Sequence, residues 1–181
     1  MEAALTCFGE LGLVGVSAEE IAGRCGRSEA TFSRYFGSSE ECLRIAFGIK
    51  TDWLAGQLLE CSNDALTNVE RAIVRLADFM AEQSRCARAI LIEARTVAGP
   101  TRRFREDLLE RLATGLDRTC RREARCDPPA LAGVFIVGAV EQFAVAALAE
   151  GRPAALIGAV PELTELISRA YGLSDYRRFP A

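Results

Sequence analysis

The chain has no histidine, and Lys50 is the only lysine among its 22 basic residues. Without histidine it lacks the commonest general base and the usual partner of a serine or cysteine nucleophile. Carboxylates are scattered with no legible pairing, so an enzyme is not expected and no cofactor is implied. The seven cysteines, at 7, 25, 42, 61, 86, 120 and 126, include no Cys-x-x-Cys pair, so no metal site is expected either. Arginines flank Cys120 and Cys126, which makes these two the thiols whose pKa the sequence would lower; reduced, buried cysteines are the plainer reading. No basic segment followed by an apolar block marks a secretory leader, and a cytoplasmic location is expected. Positive charge is thin. The net charge is −3, and the first fifty residues hold seven acids against five bases, little for displacing phosphate counterions.

Half of the 181 residues are hydrophobic, enough for a packed core in one domain or two small ones. Helical periodicity dominates, with no strand-like alternation. The most informative stretch is Ser17 to Leu43, SAEEIAGRCGRSEATFSRYFGSSEECL. Ser17 is a good N-cap, and Glu20 stands where a capping box needs it. Gly26 suits the left-handed position that ends a helix, Ser28 can cap the next, and Ser38 or Ser39 with Glu41 can begin another. Two short helices, Ala18–Arg24 and Glu29–Tyr35, joined by a turn containing glycine, form a helix-turn-helix, whose second helix enters a DNA major groove.

Further helices are predicted from Met1 to Leu11 and from Ser39 to Glu60, the latter with Leu43, Phe47, Leu54 and Leu58 on one stripe. Another, carrying Val69, Ile73, Leu76, Ala77 and Met80, ends near Gln83, and one capped by Ser84 runs to Val97. An arginine-rich helix follows with Phe104, Leu108, Leu112, Leu116 and Cys120 at i+4 spacing. Its Glu106, Asp107, Glu110, Asp117 and Glu123 interleave with the arginines, as on a solvated face. From Asp127-Pro128 to Ala149 the chain is nearly all apolar or small, broken only by Glu141-Gln142. About 20 apolar residues could span a bilayer, but an acid and an amide at mid-depth would be costly there, so burial against protein is expected and no membrane partner. A last helical region begins at Pro153 or Ala154, with Pro161 restarting or kinking it before Tyr171. The count is about nine helices.

Met1 to about Phe47 resembles the DNA-binding head of the tetracycline-repressor (TetR) family of bacterial transcriptional regulators. The resemblance rests on Ala3-Ala4-Leu5, Phe8, Gly12, Ser17, Ile21-Ala22, Gly26, Ser28, Thr31, Phe32, Phe36, Ser38, Glu40 and Leu43, at fixed offsets over some forty residues. Beyond the head only length and all-helical character agree. The resemblance implies an all-α fold: a three-helix helix-turn-helix DNA-binding domain (1–47) and a C-terminal helical bundle for ligand binding and dimerisation (48–181). The family's members usually begin several residues before the first helix, whereas Met1 here falls inside it.

Phe8, Ile21, Phe32, Phe36 and Leu43 are expected to form the small core that holds the second helix. The expected DNA-binding residues are Ser17, Arg27, Ser28, Glu29, Ala30, Thr31, Ser33, Arg34, Tyr35 and Ser39. Arg34 or Arg27 could bond a guanine edge, and Thr31 and Ser17 would anchor phosphates. Three departures from the family matter. A tyrosine commonly stands at Ser33 and a lysine at Ser39, and Glu29 would repel the backbone unless it reads a cytosine amino group. One recognition helix rarely suffices, so a homodimer on a palindromic double-stranded operator is implied. The resemblance assigns its interface to helices about 128–149 and 154–171. It also implies a chamber for a small-molecule effector among the middle helices, with Phe79, Met80, Leu91, Phe104 and Phe143 as apolar walls and Glu141 and Gln142 as polar fixtures. The function so implied is a ligand-responsive regulator, a repressor released from its operator by the effector. The alternative is a helical ligand-binding or interaction protein whose degenerate head has little specific DNA affinity.

Overall fold

The computed structural model describes residues 2–12, 15–59, 64–96 and 99–173. Among them are ten α-helices and one 3-10 turn, and no strand. The helices are α1 (Glu2–Leu11), α2 (Ala18–Arg24), α3 (Glu29–Ser33), α4 (Ser39–Leu58), α5 (Ala65–Glu82), α6 (Ser84–Leu91), α7 (Pro100–Arg121), α8 (Ala132–Ala149), α9 (Ala155–Gly158) and α10 (Val160–Tyr171). The all-α class is as the periodicity predicts. Packing divides the chain into two compact units: residues 1–54 with 79–108, and residues 55–78 with 109–181.

In the first unit the sequence writes the helix ends plainly. Ser17 caps α2, its Oγ accepting from the Glu20 amide at 3.0 Å. The reciprocal half of that capping box does not form, because Glu20 turns its carboxylate to Arg24, which donates at 3.1 Å. Gly26 sits at φ 62°, and the Arg27 amide reaches back to the Ala22 carbonyl at 2.9 Å, closing the left-handed C-terminal motif of α2. Ser28 caps α3, accepting from the Thr31 amide at 3.2 Å. Before α4, the Ser38 hydroxyl accepts from the Glu41 amide at 3.1 Å, while Glu41 accepts from the Gly37 amide at 2.7 Å.

The core of this unit holds Leu5, Phe8, Ile21, Phe32, Leu43 and Phe47, all buried. The Phe8 and Phe47 rings meet edge to face at 5.5 Å, and Phe36 is half-buried with its ring 5.1 Å from that of Phe32. α6 lies along α1 so closely that a Cβ on Gly9 would collide with the Arg85 carbonyl. Arg85 and Ala89 of α6 meet Gly9, and Cys86, Ala87, Ala89 and Ile90 of that helix are buried.

The second unit contains α8, α9 and α10, whose packing is tied to α7 by a polar node. Tyr171 donates to Asp117 at 2.5 Å, and Arg121 pairs with the same carboxylate at 3.5 Å. Arg121 also donates to the Pro128 and Pro129 carbonyls, at 3.1 and 2.8 Å. One departure lies here: α8 begins at Ala132, four residues after Pro128, with the Ala132 amide donating to the Pro129 carbonyl at 3.0 Å. The last helical region is divided as Pro161 predicts: Ala159 caps the four-residue α9, and α10 restarts with Pro161 in its first turn. A second departure is the early end of α6 at Leu91, followed by the 3-10 turn Glu93–Arg95; Val97 lies outside the described residues. Likewise α3 stops at Ser33, two residues short, and α4 ends at Leu58, while Glu60 lies outside the described residues.

Candidate functional site

α2, the Gly26 turn and α3 present one surface of the first unit. A single apolar residue of α3, Phe32, is buried and fixes the helix to the head, and Thr31 is half-buried. Arg27, Ser28, Glu29, Ala30, Ser33, Arg34 and Tyr35 are exposed, Tyr35 to 74%. Ser17 is exposed and serves as a cap, and Ser39, the first residue of α4, is half-buried. The Ser28 hydroxyl is shared between the Thr31 amide and, at 3.0 Å, the Thr31 hydroxyl, so both side chains are held at the start of α3.

Behind this surface a charge network ties α2 to α1 and α6. Glu10 of α1 accepts from Arg24 of α2 at 2.5 Å and from Arg85 of α6. The bond from Arg24, ahead of the fields of Arg24 and Arg85, holds the Glu10 carboxyl below the usual carboxylate range. Neither Gly9 nor this network was legible in the sequence, because both depend on α6 lying against α1. Charge of the right sign was present at Arg85, but nothing in the spacing aims it.

The seven residues expected to line a ligand chamber fall in different units. Phe79, Met80 and Leu91 are buried in the first, and Phe104 is half-buried there with its ring edge 3.3 Å from where a Gly48 Cβ would stand. In the second, Glu141 is buried on α8, whereas Gln142 is exposed and Phe143 is 39% exposed. The cysteines follow burial more than their neighbours. Cys120 is fully buried and its thiol is pushed up to about 12 by that burial, then by Glu123 and Asp117, so the adjacent arginines do not activate it. Cys25 and Cys126 are exposed. Among the described residues no group of three or more His, Cys, Asp or Glu could hold a metal ion.

An all-helical chain whose outward second helix is clamped by a capped, glycine-turned first helix is a helix-turn-helix protein. Residues 1–45 match the family model of bacterial regulatory proteins, tetR family. Solved structures agree over nearly the whole length. The chain is similar to FadR of Bacillus subtilis, determined in complex with stearoyl-CoA (18% identity, 95% of this chain and 96% of that one, TM-score 0.78). It is similar also to the fatty acid degradation regulator FadR of Bacillus halodurans (18%, 92% and 91%, TM-score 0.76). A third likeness is to the TetR family transcriptional regulator PfmR of Thermus thermophilus (21%, 96% and 95%, TM-score 0.69). No curated protein matches the chain. The match to the family model is thus confined to the head, and the likeness to the solved structures is one of fold.

Proposed function

We propose that this protein is a ligand-responsive transcriptional repressor that binds a palindromic operator as a homodimer and releases it on binding a small-molecule effector. Residues 1–47 are the DNA-binding part and 48–181 the ligand-binding and dimerisation part. The observation that carries the reading is α3: its one inward anchor, Phe32, leaves Arg27, Glu29, Ala30, Ser33, Arg34 and Tyr35 facing solvent on a TetR-family head. Arg34 or Arg27 reads a base edge in the major groove, Thr31 and Ser17 anchor phosphates, and Ser28, Glu29, Ala30, Ser33, Tyr35 and Ser39 complete the DNA-facing surface.

Dimerisation is supported by α8, which is long and apolar enough to cross a membrane, yet only 22% of it is buried within the chain. Leu131, Val134 and Phe135 at its start are 58%, 60% and 72% exposed, with Leu166 of α10 at 62%. Apolar surface so concentrated calls for a partner, and a second copy satisfies it in a water-soluble, cytoplasmic protein. The stearoyl-CoA complex of the B. subtilis neighbour supports an effector-controlled head in a chain of this fold.

The test is selection of bound fragments from genomic DNA, followed by salt titration of the complex. A sequence-selective complex whose affinity falls steeply with salt is expected. Binding indifferent to sequence would favour the second reading, a ligand-binding protein with a degenerate head, for which the exposed acid Glu29 beside the recognition arginines is the supporting observation.

A further inference from the structure

Lys50 stands on α4 in the first unit, and its surroundings are unlike those of the arginines. Its Nζ donates to Gln83 Oε1 at 2.5 Å, lies 4.0 Å above the Trp53 ring centroid and stands 5.4 Å from that of Phe79. The two rings are themselves 5.9 Å apart. The residue is half-buried, yet among the described residues no carboxylate lies within ion-pair distance of it. More exposed cations do have acids: Arg85 pairs with Glu10, Arg88 with Glu93 and Arg102 with Glu106.

A partly desolvated charge is ordinarily paired. Aromatic faces attract an ammonium but do not neutralise it, and one amide oxygen occupies one of its three N–H groups. Two donors remain, on a compact point charge at the end of a flexible stem that can turn to a single anionic oxygen. Beside them Trp53 keeps 41% of its surface exposed, an apolar platform next to a cation that no carboxylate among the described residues pairs.

We propose that Lys50 holds the anionic headgroup of the effector, and that the effector is an anionic amphiphile whose apolar body lies against Trp53. The proposal rests on the reading that residues 48–181 take a small-molecule effector. It assigns that effector a chemical class and names the residue that selects it.

Trp53 is the only tryptophan in the chain, so the full-length protein carries its own fluorescent reporter beneath the ammonium. Its emission should be followed while titrating decanoate, decyl phosphate, 1-decanol and decyltrimethylammonium, which share one chain and differ in head. Either anion is expected to bind about 10-fold more tightly than the alcohol, or better, as a charge-assisted bond implies, with the cation weakest. The comparison of the two anions distinguishes a carboxylate from a phosphate headgroup. In Lys50→Met the preference for anions should vanish while decanol binds as before; Lys50→Arg, which keeps the charge, should retain most of it. Circular dichroism shows whether each variant is folded, and the wild-type series decides the matter even if Lys50→Met is not. Equal binding of anions and alcohol by the wild type, or an anion preference that survives Lys50→Met, overturns the proposal. DNA affinity is measured separately: its absence would count against the repressor reading and leave the headgroup preference standing.

Discussion

Replacing Phe135 with alanine probes the proposed dimer at an exposed apolar residue of α8. Fully burying a phenylalanine contributes about 1.5–3 kcal/mol. With 72% of Phe135 open in the single chain, about 1–2 kcal/mol of that remains to be gained from a partner. An isologous interface uses each residue twice, so the variant should weaken the dimer by about 2–4 kcal/mol, a rise of roughly 30- to 1,000-fold in its dissociation constant. Sedimentation velocity over a dilution series reads that constant directly. The fold of the monomer should be untouched, since the removed ring makes little of the chain's own core. Tyr35→Ala is the control: its ring is 74% exposed but lies in the head, so dimer affinity should not change. A wild-type protein that sediments as a monomer throughout, or a Phe135→Ala protein that dimerises as tightly as wild type, refutes the reasoning.

Other outcomes follow from the head and from the Asp117 node. Arg34→Ala should relax base preference by about 1–3 kcal/mol at one operator position, whereas Thr31→Ala should weaken all sequences alike, both read by competition binding. Gly9→Ala should cost about 1–3 kcal/mol of stability in a denaturant titration, because its methyl group meets the Arg85 carbonyl, part of a rigid backbone. Tyr171 is held above its ordinary pKa of 10.0 by burial and by its bond to Asp117, so its contribution is fully present below pH 10 and is lost as pH rises through the folded value. Tyr171→Phe should therefore flatten part of the alkaline decline in stability, with buried Cys120 supplying another part between its ordinary 9.0 and about 12. In the native protein a thiol reagent should label Cys25 and Cys126 quickly, and Cys7, Cys42, Cys86 and Cys120 only on unfolding.

What could be read from the sequence was local. Ser17, Ser28 and Ser38 cap because a hydroxyl at that offset meets an orphan amide, and Gly26 turns because its φ of 62° disfavours a side chain. These few residues place α2, α3 and α4, and with them the outward residues of α3. What could not be read depends on burial and on which of several partners a side chain finds. Pro128 looks like a helix start, but α8 begins only at Ala132. Glu20 fits a capping box, yet a nearby arginine outcompetes an amide for its carboxylate. Lys50 was visible only as a lone lysine; its neighbours Phe79 and Gln83 lie some thirty residues downstream. The arginines beside Cys120 suggested an activated thiol, whereas burial raises its pKa.

The seating of α6 against α1 bears on any attempt to graft this head onto another regulator. A fragment cut after Phe47 would strip α6 from Gly9 and leave Glu10 without Arg85, baring the α1 side chains that α6 covers. A transplant that carries residues 79–108 along with 1–54 keeps them covered, so chimeras built on that longer, discontinuous unit should express as soluble protein where the short fragment aggregates.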